Sequence, residues 1–161
     1  MAYQKLQAYR ALAVNPSDTI NIPNPAMLAI SSTTTGNGAA TLKVIDALGD
    51  FINKGVKVGD IIYSLAGLIS EVTAVDSATT LSVTTGIGTG RTYTLYANID
   101  APNNGCVLYV GTAGDLKVLT AGGDIVEFVG VLAGSFIPVQ VLRVFATGQT
   151  GTAATSILAL W

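Results

Sequence analysis

From Val107 to Val144 the chain keeps one rhythm: short runs of Val, Leu, Ile, Phe and Tyr, separated by small flexible residues. The separators are Gly111-Thr-Ala-Gly-Asp115, Thr120-Ala-Gly-Gly-Asp124 and Ala133-Gly-Ser135. β-Branched and aromatic residues suit a pleated, half-buried surface, and Gly-Asp and Gly-Gly steps permit tight reversals. The turns recur about every 8–12 residues, the spacing of a small sandwich or barrel. This predicts three or four antiparallel strands, Val107–Val110, Leu116–Leu119, Asp124–Val131 and Ile137–Val144.

The flanking segments extend the pattern. Met1 to Val14 has weak helical spacing (Tyr3, Leu6, Tyr9) but no caps, and it runs into Asn15-Pro16. A residue before proline is pushed toward extended geometry, so an arm that becomes a strand is expected. Asn15-Pro-Ser-Asp18 reads as a turn and Thr19–Ile22 as a second strand. Ser31 to Ala40 has the composition of a flexible linker. Beyond it, Leu42–Ile45, Ile61–Tyr63, Leu68–Val75, Thr80–Thr84 and Thr92–Tyr96 read as strands, with Glu71 and Thr73 outward. Asp76–Thr79 reads as a turn, and Asp50–Gly55 as one helical turn closed by glycine. About five short strands in roughly 60 residues suffice for a small barrel. Asn98–Gly105 is dense in chain-breaking residues, Ala146–Thr155 reads as a loop, and Ile157–Trp161 as a last strand docked in its own sheet or a neighbour's. The fold class expected is all-β: a small antiparallel sandwich or barrel of residues 1–30 plus 99–161, holding an inserted barrel-like module of residues 31–98.

Composition narrows the function. The 161 residues allow one ordinary domain or two small ones. Charged residues make up 11% of the chain, against about 25% in ordinary soluble proteins. Such a surface favours burial against copies of itself or a larger partner. A formal charge of −2 and eight scattered basic residues give no footprint for nucleic acid. With no histidine, His–Asp triads, His proton shuttles and the usual zinc and copper sites are excluded. Cys106 is the single cysteine, so no intrachain disulfide forms, and it reads as a small buried hydrophobe. No signal peptide is visible. The longest apolar run, Phe128–Val139, is broken by Gly130, Gly134, Ser135 and Pro138, and is shorter than the ~18–20 residues that span a bilayer. No membrane partner is expected.

Chemistry is sparse. Gly86-x-Gly-x-Gly90 lacks the third glycine of a dinucleotide loop, because Arg91 stands in the next position, and a strand follows where a helix is needed. Asp115, Asp124 and Glu127 are the carboxylate group to inspect for acid–base work or calcium. Capping of turn N–H groups and a solvent-facing strand position account for them more simply. The six tyrosines are spread along strands without a clustered repeat, which favours packing over a glycan platform. No catalytic residue, cofactor or metal ligand is assigned.

Three stretches together resemble small structural proteins of tailed-phage particles, of the head spike-base or decoration (cement) type. They are Tyr9–Thr19 (YRALAVNPSDT), Leu108–Gly148 (LYVGTAGDLKVLTAGGDIVEFVGVLAGSFIPVQVLRVFATG) and Ile157–Trp161 (ILALW). In those proteins the Pro-Ser-Asp-Thr segment runs almost directly into Leu-Tyr-Val-Gly. Here residues of about 31–98 intervene, and Phe51…Tyr63, Val72–Leu81 and Thr92–Tyr96 resemble a β module common in phage virion proteins. The resemblance implies a non-enzymatic virion component, made in the host cytoplasm, that binds the major capsid protein or other virion proteins. It also implies a homo-oligomer, with a trimer favoured. Docking would run through apolar β surfaces and the terminal arms, with Tyr3, Leu6, Tyr9, Leu12, Phe136, Ile157, Leu158, Leu160 and Trp161 as interface candidates. A host-surface glycan-binding module is the alternative.

Overall fold

The computed structural model describes residues 8–25, 30–35, 42–146 and 152–161. About half of them lie in strands and none in a helix. The chain divides into two compact units: an outer one of Met1–Ile22 with Asn104–Trp161, and an inner one of Pro23–Asn103. Each holds a six-stranded antiparallel sheet, and one of the two sheets curls into a half-barrel.

The outer sheet is built from β1 (Ala11–Ala13), β8 (Cys106–Thr112), β9 (Gly114–Thr120), β10 (Ile125–Val131), β11 (Ser135–Val144) and β12 (Thr155–Leu160), in the order β1-β12-β8-β11-β9-β10. Alternation along these strands sends Leu108, Val110, Leu116, Val118, Val141, Ile157 and Ala159 into one core. Cys106 belongs to it, its thiol donating to the Val141 carbonyl at 3.2 Å. The expected strand Thr19–Ile22 does not form a ladder. Ile20 and Ile22 are buried, but the segment is tied to β11 by one backbone bond, the Ile22 N–H donating to Leu142 O at 2.8 Å, and by Arg143 Nε donating to Asn21 Oδ1 at 2.9 Å. Ser17 Oγ takes the Ile20 N–H that a strand partner would have taken, at 3.1 Å.

The inner sheet contains β2 (Ile30–Thr33), β3 (Lys43–Ile45), β4 (Ile61–Ser64), β5 (Ile69–Ser77), β6 (Thr80–Val83) and β7 (Thr92–Tyr96), in the order β2-β7-β4-β5-β6-β3. The long β5 serves both halves and shifts register between Val72 and Ala74 and again between Val75 and Ser77. Val44, Phe51, Ile62, Val72, Leu81, Ile87, Tyr93 and Leu95 form the core.

Several local expectations are corrected. Ser31–Thr33 is strand, not linker: β2 pairs with β7, and Ser31 and Thr94 hydroxyls meet across the ladder at 2.9 Å. Residues 36–40 of that stretch lie outside the described residues, as do 147–151 of the expected loop after Ala146. β5 continues through Ser77, so the reversal narrows to Ala78 and Thr79. One expectation holds: Asp50–Gly55 makes a single helical turn, Lys54 N–H to Asp50 O at 3.0 Å, closed by Gly55 at φ 73°. Its anchor is the buried Phe51 ring, which leaves no room for a side chain on Gly49, where a Cβ would lie 2.7 Å from the ring. The joints between units fall at Ile22/Pro23 and Asn103/Asn104 rather than at 30/31 and 98/99. Ile30 pairs with Leu95, Ile99 packs over Gly59, and Asp100 forms an ion pair with Lys57 at 2.7 Å; these contacts hold both boundary segments to the inner unit.

Candidate docking surface

Sheets of antiparallel strands commonly bury one face and wet the other. The outer sheet departs from this over β1, β12, β8 and the start of β11. Leu108 and Ala159 face each other on the core side, and so do Ile137 and Leu108. The intervening residues point outward, and they are also apolar. Ala13 lies opposite Leu158, Leu158 opposite Tyr109, and Tyr109 opposite Phe136, one row across four strands. Ala11, Leu160 and Val107 form a second row beside it. The Tyr109 and Phe136 rings stack tilted, with centroids 5.3 Å apart, and Phe136 is 61% exposed.

The sheet register sorts the interface candidates. Leu158, Leu160 and Phe136 share the outward face with Tyr109 and Val107. Ile157 is buried in the core, and Leu12 and Trp161 pack against that core from its edge. Tyr9 is 86% exposed, its N–H bonded to the Trp161 carbonyl and its ring under the Arg10 guanidinium. Tyr3 and Leu6 lie outside the described residues. Thus three candidates gather on one surface, three hold the core, and Tyr9 stands at the edge.

Reading the residues in order missed a second apolar element. In the sheet order β10 is an edge strand, paired among the described residues with β9 alone. Every residue of Ile125–Val131 is exposed or half-exposed. Val126 and Phe128 lie opposite the buried Val118 and Leu116, hence on the core side, while Ile125 and Glu127 lie opposite Leu119 and Lys117 on the outward side. A bulge follows, between Phe128 and Val131, with Gly130 at φ 66°. Asp115 Oδ1 accepts the Gly130 N–H at 2.8 Å, so this carboxylate secures the bulge. Hydrophobicity alone makes β10 read as an interior strand, and only long-range pairing shows that it is an edge.

Other chemistry does not converge. Among the described residues no three His, Cys, Asp or Glu side chains come together to hold a metal ion. No helix among the described residues is long and apolar enough to cross a membrane. Tyr63, Tyr93 and Tyr96 are buried in the inner unit, with Tyr63 and Tyr96 edge to face at 5.8 Å, so they offer no platform to a sugar ring. Tyr93 instead donates its hydroxyl to the buried Asp46 carboxylate at 2.7 Å. Burial opposes ionisation of Asp46, but bonds from Ser32, Tyr93 and the Leu48 N–H, with the Lys54 charge, hold its carboxyl below the usual range. Burial and then the Asp46 carboxylate push the Tyr93 phenol far above its ordinary value.

The geometry therefore defines a two-unit all-β protein whose outer sheet presents an apolar face and an apolar edge. No protein-family model, curated protein or solved structure matches the chain.

Proposed function

We propose that the chain is a structural component of a tailed-phage particle, a capsid decoration (cement) or head spike-base protein, and that it self-associates on the shell. The observation that carries this reading is the part of the outer sheet, over β1, β12, β8 and the start of β11, that is apolar on both faces. Its outward row Ala13–Leu158–Tyr109–Phe136 gains by leaving water, about 25 cal/mol per Å² before ordering losses. The resemblance of Tyr9–Thr19, Leu108–Gly148 and Ile157–Trp161 to such virion proteins supports the same reading, and points to the major capsid protein or another virion protein as the surface opposite. The role is mechanical: many modest contacts, repeated on a symmetric shell, add by avidity. The glycan-binding alternative has no tyrosine platform in the inner unit, where Tyr63, Tyr93 and Tyr96 are buried.

Mass spectrometry of purified particles from a phage encoding the chain tests this. The expected result is a fixed stoichiometry to the major capsid protein, lost when Phe136 and Leu158 are both changed to Asp. Absence of the wild-type chain from particles overturns the reading.

A further inference from the structure

We propose that the open edge of β10 accepts β1 of a second copy of this chain, antiparallel, so that copies join head to tail through one continuous sheet. The idea deepens the self-association part of the preceding reading and stands on the outer sheet alone.

The backbone sets the chemistry of the partner. Thr120 N–H donates to Asp124 O at 2.9 Å where the β9–β10 hairpin closes. Alternation from that pair turns the N–H and C=O of Ile125 and Glu127, before the bulge, away from β9. At the opposite edge Arg10 and Trp161 exchange backbone bonds of 3.3 and 3.0 Å, which turns the N–H and C=O of Ala11 and Ala13 away from β12. Each edge thus offers an unextended ladder, and an extended polypeptide is what a ladder binds.

Direction and face select which strand. All five pairings in the order β1-β12-β8-β11-β9-β10 are antiparallel, so β1 and β10 run oppositely. A second copy in the same orientation therefore brings β1 antiparallel to β10. Setting Ala11 opposite Glu127 places Ala13 opposite Ile125 and Tyr9 opposite Val129, all on the outward face. Leu12 then meets Val126 on the core side. The most exposed apolar residues of the two edges, Tyr9 at 86% and Val129 at 78%, cover one another.

The competing arrangement is a two-fold pairing of β10 with β10. Its regular stretch is Ile125–Phe128: one two-fold register sets Glu127 opposite its own copy, and like charges directly opposed destabilise a sheet, while the neighbouring register sets Glu127 against the bulky apolar Ile125. Opposite β1, Glu127 meets the small neutral Ala11 instead. Because the contact is head to tail, copies add until their rotation closes a ring or a filament grows.

The experiment uses the full chain with Cys106→Ala as background. Ala11→Cys and Glu127→Cys are made separately, checked for unchanged circular dichroism, and oxidised mildly alone and mixed. The expected result is a disulfide-linked pair only in the mixture, with sedimentation showing multiples of the single chain for the unmodified protein. Glu127→Pro removes an N–H that points away from β9, so the hairpin persists while the edge is blocked; it is expected to sediment as a single copy with the fold retained. Cross-linking of Glu127→Cys to itself, or a single copy at every concentration with no cross-link in the mixture, would overturn the proposal. If copies join this way but the chain is absent from phage particles, the pairing stands and the virion reading falls.

Discussion

In the inner unit the buried side chains include Asp46, Asp60, Thr34, Ser64 and Ser70, each inside or beside an apolar core, whereas in the outer unit Thr152 is the one buried polar side chain outside the apolar set among the described residues. The inner polar groups are bonded with direction. Asp46 takes the Tyr93 hydroxyl, and Asp60 takes the backbone N–H groups of Lys57 and Asn98 at 2.8 and 3.0 Å. Exposed apolar residues of the inner unit, such as Leu48, Ile52 and Leu65, sit on turns. Those of the outer unit, apart from Leu132 in the β10–β11 loop, stand in register across strands or along one edge. The inner unit bonds its buried carboxylates, Asp46 and Asp60, within itself. The outer unit relies on area, and it carries more apolar surface than its own core covers.

The largest way to sharpen this contrast is to empty one core at a time. Leu108→Ala in the outer core and Leu95→Ala in the inner core each remove a fully buried side chain, and each is expected to lower stability by about 2–5 kcal/mol. Amide exchange should report the loss chiefly in the unit that carries the change. Equal loss of protection in both units would mean that the two cores unfold as one.

Next in size is the inner polar pin. Tyr93→Phe keeps the ring and removes the bond to Asp46, leaving a buried carboxylate short of a donor, which costs about 1–3 kcal/mol. Denaturant titration of the inner unit reads it. Acid reads the same pin in wild type. The folded carboxyls of Asp46 and Asp76 both lie below their ordinary value, Asp46 for the reasons given and Asp76 through bonds from Lys43 and Ser82. Their stabilisation is therefore present above the unfolded value of about 3.9 and is lost as pH falls through the lower folded values. Tyr93 acts at the other end: its folded phenol lies above the ordinary value, so its contribution holds below about pH 10 and fades as pH rises further. The inner unit should show a stability plateau between these limits, and in Tyr93→Phe the alkaline fall should diminish.

Much of the outer sheet was legible in order of sequence because each strand there alternates locally: Leu108, Val110, Leu116 and Val118 announce their core face within a few residues. The outward row was not legible. It is made by Ala13, Leu158, Tyr109 and Phe136, which come from both ends and the middle of the chain, and only register brings them together. β10 misleads for the opposite reason, since Ile-Val-Glu-Phe-Val suits an interior strand and nothing local marks an edge. Ser31–Thr33 resembled a linker because Ser and Thr are common in linkers. Yet the same hydroxyls bond across a ladder, as Ser31 and Thr94 do. The Asp46–Tyr93 pin spans 47 positions and has no local sign.

The smallest effect on stability tests the outward face most directly. Phe136→Asp and Leu158→Asp place a charge where the side chain already meets solvent, at 61% and 37% exposure. Neither opens a cavity, and neither strand loses a ladder bond. Leu158→Asp should change the unfolding free energy by about 0.5 kcal/mol, as surface substitutions do, and Phe136→Asp, which loses the Tyr109 ring, by about 0.5–1.5 kcal/mol. If the row is a covered surface in use, the same changes should weaken binding to its partner at least about tenfold, equivalent to about 1.4 kcal/mol, because a charge would be desolvated opposite apolar groups. Thermal unfolding and particle co-sedimentation on the same variants separate the two quantities. A large drop in melting temperature would show instead that the row is needed to hold the outer sheet together, and the contrast between an inner unit bonded within itself and an outward-looking outer one would then lose its basis.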